Sequence, residues 1–371
     1  MGILLLILLQ NVVFGLYTSW RIYTSFWQDS NIFIIVPIIF LINNLFLTIR
    51  ILQKNFNIVA PDWLSYFAHI LFGYTIYLFM FFLISDAAKL ILFLLDYELF
   101  TNFAQGMFAV VGALIVFVYG FINGHITRIK KYNITLNKEV KKPFTIVAIT
   151  DLHIGADMTP RRLNHEVDLI NKFNPDLVLI GGDLVDHNTD DFKAGHINAF
   201  KRLTPKYGSY AVLGNHEYYS GTAEENTEKF TQANLKVLKD EVAFIEDLDL
   251  YIVGRDSLRH THSDGSEREP IDFFIPKIQD PNKPILILDH VPKGRADGKK
   301  INADIQISGH THDGQFFPIN LVTRKMFELS TGMINDNGFY YFVSSGLGLW
   351  GPPMRVGTHS ELLLIHVNGK D

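Results

Sequence analysis

Five short apolar runs between residues 144 and 312 are each followed at once by a cluster of Asp, Asn or His residues. The runs are 145–149, 177–180, 210–213, 285–288 and 305–307. Apolar runs of this length, rich in Ile, Val and Leu and bounded by Gly, Asp and Asn, predict buried strands. Because ligands of open α/β sheets bind beyond the carboxyl ends of the strands, the five clusters are predicted to converge on one site.

The clusters consist of residue types that bind hard or borderline metals. They are Asp151-Leu-His153, Gly181-Gly-Asp183, Gly214-Asn215-His216-Glu217, His290 and Gly309-His310-Thr-His312. Carboxylate, amide and imidazole ligands suit Mn, Fe or Zn. The chain contains no Cys, which excludes a thiolate zinc site and a disulfide framework. The clusters therefore predict a metal site built without sulfur ligands.

The spacing of these residues favours two ions over one. Asp151 and His153, two positions apart, point to the same side of an extended backbone and are expected to chelate one ion. Asp183, at the end of the neighbouring strand, is the natural bridge to a second ion. Two metals about 3.5–4 Å apart, joined by a carboxylate, are an arrangement that hydrolyses phosphoesters.

The five clusters, in this order, resemble the signature of the calcineurin-like metallophosphoesterase superfamily between about residues 144 and 367. The resemblance implies a four-layer α/β/β/α fold for residues 144–371 and a centre of two divalent ions. It implies hydrolysis of a phosphoester by a hydroxide that bridges the metals, with His216 as the acid that protonates the leaving oxygen. The implied ligands are Asp151, His153, Asp183 and His312 for the first metal, and Asp183, Asn215, His290 and His310 for the second.

Two segments are also similar to a membrane-associated branch of this superfamily that includes a lipid A precursor (UDP-diacylglucosamine) pyrophosphatase. They are residues 309–315 and the tail from Ser345 to Arg355. This similarity favours a phosphodiester or pyrophosphate substrate with a lipid arm. The alternatives are a phosphomonoesterase, and a membrane sensor whose phosphatase-like domain only binds a ligand; the complete ligand set favours the enzyme.

Two residues near the end of the site region have predicted roles of their own. Arg355 is interpreted as a bidentate ligand of a substrate phosphate, with a structural salt bridge as the alternative. Asp313 stands where the membrane-associated branch commonly has Gly, and it is expected to alter loop packing without changing metal ligation. His187, His260 and His262 are interpreted as solvated loop residues.

Residues 1–126 contain few charges and are predicted to be an all-α transmembrane region. Four segments approach the ~20 apolar residues needed to cross a bilayer, namely 3–17, 32–49, 63–84 and 103–122. The first is the weakest, because Gln10 and Asn11 lie at its middle. Segment 87–95 is too short to cross, so it either extends the third helix or lies along the interface. Asp86 and Lys89, one turn apart, are expected to pair.

Residues 127–143 are predicted to be a basic linker, either solvated or in contact with anionic headgroups. Its basic residues are Arg128, Lys130, Lys131, Lys138, Lys141 and Lys142. With four spans, the positive-inside rule puts both termini and the catalytic domain in the cytoplasm, and a miscounted span would reverse that topology. The net charge of -5 gives no indication of a nucleic-acid partner.

Local signals predict two helices in the catalytic domain. Thr159 followed by Pro160 is typical of an N-cap and a first helical residue, and it predicts a helix to about residue 173. The polar, Glu-rich run 222–239 predicts a further helix.

Overall fold

The protein is described here by a computed structural model that covers residues 2–56, 60–97, 101–186, 189–219, 223–257 and 267–370. The chain divides into two compact units. A helical unit contains Met1–Ile122 and Gly351–Met354, and a catalytic unit contains Asn123–Trp350 and Arg355–Asp371. A short segment near the carboxyl end therefore groups with the amino-terminal helices.

The helical unit is built from five helices. They are α1 (Gly2–Phe26), α2 (Ile32–Asn43), α3 (Leu45–Phe56), α4 (Asp62–Leu94) and α5 (Asn102–Gly124). Within the described ranges, α4 and α5 are long and apolar enough to cross a membrane. They contain the predicted third and fourth spans, and α4 continues through the segment that follows Asp86, so this segment extends the third helix.

The predicted span 32–49 is not one helix. The α-helical hydrogen bonding stops at Asn44, whose backbone N–H donates to the carbonyl oxygens of Phe40 and Ile42, and α3 starts at the next residue. At 1.5 Å per residue, the 12 residues of α2 extend about 18 Å, which is less than the ~30 Å hydrocarbon core. The prediction of four equivalent spans is therefore not confirmed.

Asp86 pairs with a different partner from the one expected. Its carboxylate oxygen is 2.6 Å from the guanidinium of Arg21 on α1, and it accepts a hydrogen bond from the Tyr17 hydroxyl at 2.6 Å. Lys89 instead donates to the side-chain oxygens of Asn102 and Gln105. These polar contacts join α1, α4 and α5.

The catalytic unit contains two six-stranded sheets. Sheet one has the spatial order β1 (Thr127–Thr135), β12 (Ser360–Asn368), β2 (Phe144–Ile149), β3 (Leu177–Ile180), β4 (Ser209–Ala211) and β5 (Leu235–Val237). Sheet two has the order β10 (Gly332–Asp336), β11 (Phe339–Val343), β9 (Ile305–Ser308), β8 (Ile285–Leu288), β7 (Leu250–Gly254) and β6 (Glu241–Ile245). All five apolar runs form strands as predicted.

The two sheets pack face to face and carry helical segments on their outer faces. Side chains from both sheets, such as Ile146, Leu179, Leu286 and Ile307, form one fully buried core between them. The outer face of sheet one packs on α6 (Pro160–Asn171), α7 (Ala194–Phe200) and α9 (Ala223–Gln232). The outer face of sheet two packs on the 3-10 segment Ile271–Lys277 and the region of α10 (Ala296–Lys300). The predicted four-layer α/β/β/α fold is confirmed.

Residues 127–143 do not form a linker. Thr127–Thr135 is an edge strand that runs parallel to β12, 233 positions later in the chain. Lys138 is also committed to the catalytic unit, because its ammonium lies 3.0 Å from Asp304 and donates to the carbonyl oxygens of Lys283 and Asn302. Pairing with a distant strand is not visible in local composition, which explains the wrong prediction.

The two predicted helices are present with different boundaries. The Thr159 side chain caps α6 by accepting a hydrogen bond from the backbone N–H of Arg162, as predicted. The helix predicted over 222–239 ends at Gln232, because the chain turns at Asn234 and enters β5. Residue 222 lies outside the described residues.

Truncating a core side chain of β12 tests the sandwich. Leu363 is fully buried between the sheets, so we expect Leu363→Ala to lower the free energy of unfolding by about 2–5 kcal/mol. Denaturant unfolding of the detergent-solubilised protein measures the change. Lys131→Ala, on an exposed position of the neighbouring strand, is the control and should change stability by less than about 0.5 kcal/mol. Equal unfolding midpoints for the two variants would contradict the described packing.

Candidate metal centre

The loops that follow the predicted strands bring their polar side chains to one place, although the strands belong to two sheets. β2, β3 and β4 of sheet one and β8 and β9 of sheet two supply the loops. Three overlapping groups of ligand atoms result, and within each group the atoms lie within 4.8 Å of one another. The groups are Asp151 with His153 and His312, His153 with Asp183 and His216, and Asp183 with His290 and His310.

The first part of the centre contains two imidazoles and two carboxylates. The Nε2 atoms of His153 and His312 are 2.9 Å apart. The Nε2 atom of His312 is 3.5 Å from a carboxylate oxygen of Asp151, and that of His153 is 3.9 Å from one of Asp183. Nitrogen and oxygen donors that converge in this way fit a divalent cation such as Mn, Fe or Zn.

The second part contains the other three predicted ligands around Asp183. The Nε2 atom of His290 is 3.1 Å from Oδ2 of Asp183 and 3.2 Å from Oδ1 of Asn215. Nδ1 of His310 is 3.2 Å from the same His290 nitrogen. All seven predicted ligands are thus brought together, and Asp183 lies in both parts. The division of these ligands between two ions stays a prediction.

Most of these ligands have an unusual backbone conformation. Positive φ angles occur at Asp151 (53°), His153 (46°), Asp183 (51°), His310 (70°) and His312 (47°). Non-glycine residues rarely adopt the left-handed region, and each such residue costs on the order of 1–3 kcal/mol. The chain bends sharply as it leaves each strand, and this bend aims consecutive side chains at the centre. Strain concentrated at one point is typical of a functional site.

The glycines of the motifs are required by close packing. A Cβ atom on Gly214 would lie 2.1 Å from Oδ1 of Asp183, and one on Gly309 would lie 2.3 Å from Oδ2 of Asp151. Real Cβ atoms do not approach other atoms so closely, so any larger residue would displace a ligand carboxylate. This steric limit explains the glycine that precedes Asn215 and the glycine that precedes His310.

Glu217 stabilises the loops without belonging to any of the ligand groups. Its buried carboxylate accepts backbone N–H bonds from Asp183 (3.0 Å), Leu184 (2.8 Å), Val185 (3.1 Å) and Gly214 (2.6 Å). Burial and the neighbouring charge of Asp183 raise the pKa of Glu217 to about 7. One side chain thereby joins the loop after β3 to the loop after β4.

Asp186 is a member of the site that sequence reasoning missed. Its carboxylate oxygen lies 3.4 Å from Nδ1 of His153 and 3.5 Å from Nδ1 of His216. Its backbone carbonyl oxygen is 2.5 Å from the same His216 nitrogen, which places the proton on Nδ1. The sequence position of Asp186 could have identified it as a site residue, because it follows Asp183 by three residues and lies on the same loop beyond the strand end.

The electrostatics of the site favour a bound cation. Burial opposes ionisation of Asp183, but the adjacent histidines, led by His290, hold the pKa of Asp183 well below its usual range. Burial would lower the pKa of His290, whereas Asp183 raises it, with a net pKa of about 10. Burial and the charge of His290 lower the pKa of His310 to about 4. Without a metal, a proton on His290 compensates Asp183, so metal binding must displace this proton and weakens in acid.

Arg355, predicted to be a ligand of a substrate phosphate, is buried among backbone groups. Its side chain is fully buried and donates to the carbonyl oxygens of His312 (2.9 Å), Gly346 (3.3 Å) and Gly348 (2.9 Å). Burial lowers its pKa to about 10. A guanidinium nitrogen also lies 3.3 Å from Nδ1 of His312, and this contact favours a role in positioning that ligand. The role of Arg355 as a substrate ligand stays a prediction, and the described contacts include no salt bridge.

Asp313 packs the ligand loop against a neighbouring helix. Its buried carboxylate pairs with Arg324 at 2.6 Å and accepts a hydrogen bond from the Ser330 hydroxyl at 2.6 Å. Arg324 belongs to α11 (Ile319–Met326), so Asp313 joins the ligand loop to this helix.

His187, His260 and His262 lie outside the described residues.

Removing the shared carboxylate tests the dinuclear prediction. We expect Asp183→Ala to reduce the metal content from two divalent ions per chain to one or none, because Asp183 contributes to both ligand groups. Inductively coupled plasma mass spectrometry of the desalted protein measures this ratio. Asp190→Ala removes a highly exposed carboxylate nearby and should retain the wild-type content. Two ions retained by Asp183→Ala would contradict the bridging assignment.

Substitution of Arg355 tests its positioning role. We expect Arg355→Gln to weaken metal affinity about 10–100-fold, since residues that orient metal ligands have effects of this size. Competition with a chelator of known affinity measures the change, and Arg355→Lys should recover part of it by restoring one donor. Unchanged metal affinity with a raised KM for a phosphoester would support the substrate contact instead.

Comparisons with known proteins agree with this centre. Residues 144–314 match the family described as calcineurin-like phosphoesterase. An uncharacterized metallophosphoesterase of Aquifex aeolicus is 30% identical over 268 residues, which cover 70% of this chain and 98% of that protein. An uncharacterized metallophosphoesterase of Campylobacter jejuni is 32% identical over 242 residues, or 62% of this chain and 61% of that protein. A Danio rerio protein named transmembrane protein with metallophosphoesterase domain is 26% identical over 283 residues, which cover 70% of this chain and 62% of that protein.

The extent of these matches differs between relatives. The chain spans about three fifths of the length of the Campylobacter jejuni relative, but nearly the whole of the Aquifex aeolicus protein. The similarity therefore covers a complete protein of this type, at an identity of 30%. The chain therefore belongs to the calcineurin-like metallophosphoesterases.

Proposed function

We propose that this enzyme hydrolyses a phosphodiester or pyrophosphate that carries a lipid arm. The observation that carries the proposal is the convergence of the seven predicted nitrogen and oxygen ligands, with Asp183 next to both parts of the centre. The lipid arm is supported by the two apolar helices α4 and α5 in the same chain, and by a relative named as a transmembrane protein. The similarity of residues 309–315 and of the tail to lipid A precursor pyrophosphatases points to the same substrate class.

The residues around the centre suit in-line displacement at phosphorus. Divalent ions held there would neutralise charge on the phosphoryl oxygens and lower the pKa of an attacking water. His216 protonates the leaving oxygen in this proposal, and the Asp186 carbonyl fixes its ring by accepting the proton of Nδ1. Burial lowers the pKa of His216 and so makes its charged form a stronger acid. Glu217 keeps the loop that carries His216 in register with Asp183.

We further propose that the protein is a multi-pass membrane protein whose catalytic unit faces the cytoplasm. Basic residues follow α5 at Arg128, Lys130 and Lys131, and exposed cations next to a span are typical of the cytoplasmic side.

Cysteine labelling tests this topology, because the chain has no Cys. Single cysteines introduced at exposed positions of the catalytic unit show on which side of the membrane it lies by their access to impermeant reagents in intact cells. If such cysteines were labelled in intact cells, before lysis, the result would contradict the cytoplasmic placement of the catalytic unit.

Hydrolysis of model substrates tests the enzymatic part. Purified protein with added Mn is expected to cleave bis-p-nitrophenyl phosphate, and both Asp183→Ala and His216→Ala should reduce turnover by at least about 100-fold, a typical loss for a catalytic proton donor. Faster cleavage of p-nitrophenyl phosphate than of the diester would favour the phosphomonoesterase. No turnover of these compounds or of a lipid pyrophosphate by the metal-loaded protein would favour the sensor.

The lipid arm needs a separate comparison. A lipid-linked pyrophosphate and its water-soluble deacylated analogue share the reacting group, so any difference in kcat/KM reports recognition of the lipid. We expect the lipid-linked compound to be preferred. Equal kcat/KM values would assign the membrane helices to anchoring alone.

A further inference from the structure

Helix α11 has its polar and apolar faces reversed relative to a helix that packs on a protein core. Asn320 and Thr323 are buried against the catalytic unit. Leu321 and Val322, in contrast, are 49% and 55% exposed. A surface helix of a water-soluble domain normally buries its apolar stripe, so this helix presents its apolar face to something other than its own core.

The apolar residues form one contiguous segment of chain. It starts at Phe317, just before the helix, and ends at Met326, which is 72% exposed. We call the following set the α11 face: Phe317, Ile319, Leu321, Val322 and Met326. Single exposed apolar side chains are ordinary, but a cluster of five within ten residues is typical of a surface that contacts another molecule or a membrane.

Charge and an aromatic residue accompany this face. Arg324 and Lys325 lie on the same helix and are exposed. Trp350, which is 50% exposed, is fixed beside the loop that leads to α11, because its backbone N–H donates to Oε1 of Gln315 and its carbonyl accepts from Nε2. Apolar side chains bordered by cations and Trp are the composition of helices that lie at the surface of an anionic bilayer.

The chain next to Trp350 supports a lipid neighbour. The following segment, Gly351–Met354, groups with the helical unit. Within that unit it packs on the candidate span α4, since a Cβ atom on Gly73 would lie 3.0 Å from Pro352 and 3.2 Å from the sulfur of Met354. The chain therefore passes directly from Trp350 to a membrane helix. At the other end of the catalytic unit, two residues separate α5 from β1, a tether on the order of 10 Å.

The α11 face is also attached to the metal centre. Arg324 pairs with Asp313, the residue after His312. Just past the helix, the ring of Phe327 lies edge-on to the ring of His310, with centroids 6.1 Å apart. The residue that follows the α11 face therefore lies beside a predicted metal ligand.

We propose that the α11 face is a membrane-docking surface, which lies in the headgroup and upper acyl region of the anionic bilayer that holds the helical unit. Docking brings the metal centre to the depth at which the phosphate of a lipid-linked substrate is found. The apolar side chains of the α11 face enter the lipid, while Arg324 and Lys325 remain at the level of the anionic headgroups. A second copy of this chain is the competing occupant.

Cysteine labelling of the full-length protein tests the proposal, because the natural chain has no Cys. Val322→Cys is labelled with an environment-sensitive fluorophore, and the protein is reconstituted in vesicles of phosphatidylethanolamine and phosphatidylglycerol. We expect blue-shifted emission and strong quenching by lipids that carry a nitroxide on the upper acyl chain. Ile275→Cys, similarly exposed at 49% but on the outer layer of sheet two, should show neither effect.

Three outcomes decide between the occupants. Quenching at residue 322 that weakens with Lys325→Glu supports docking on anionic lipid. Emission at 322 equal to that at 275, with the wild-type metal content retained, overturns the proposal. Oxidative formation of a covalent dimer by unlabelled Val322→Cys, without quenching by lipid, assigns the face to a second copy and also overturns it. The readout needs no turnover, so it is independent of the proposed substrate.

Discussion

The catalytic unit depends on the buried carboxylate of Asp183. It is fully buried and lies within ion-pair distance of His290 and His153, and it accepts the backbone N–H of His216 at 2.9 Å. A buried charge is tolerated only when it is compensated, so the surrounding groups have to remain in place. The positive φ at Asp183 and the glycine at 214 follow from this requirement, because both serve to bring a strand end and a neighbouring loop against one carboxylate.

The sequence was sufficient to predict the strands and the ligand cluster because both depend on local signals, whereas the four-layer sandwich was predicted from the resemblance to a known family. Each strand is a short apolar run, and each ligand follows its strand within a few residues, so the strand ends alone bring the ligands together. The contribution of two different sheets did not follow from the runs themselves. The position of β12, which enters sheet one between β1 and β2 from the far end of the chain, did not follow from them either.

The failures of sequence reasoning all involve long-range contacts. Six of the nine residues of β1 are polar or basic and only Ile134 is a buried apolar residue, so β1 becomes a strand only through pairing with Ser360–Asn368. Arg355 has the chemistry of a phosphate ligand, and only its burial among backbone carbonyls favours a role in positioning His312. Asp86 has Lys89 one turn away, yet it pairs with Arg21 on another helix. In each case the sequence indicated the chemistry of the side chain but not the group that it contacts in the folded chain.

The same reasoning separates α11 from the other helices of the catalytic unit. α6 buries Leu163, Val167 and Ile170 against sheet one, as expected for a helix stabilised by its own core, although it also buries Glu166. α11 does the opposite, and its attachment relies on the ion pair between Arg324 and Asp313 rather than on apolar burial. A helix held by a polar contact on its inner side can present an apolar face outward without loss of its position. Asp313, the residue after the ligand His312, is therefore the one that fixes this face next to the metal ligands.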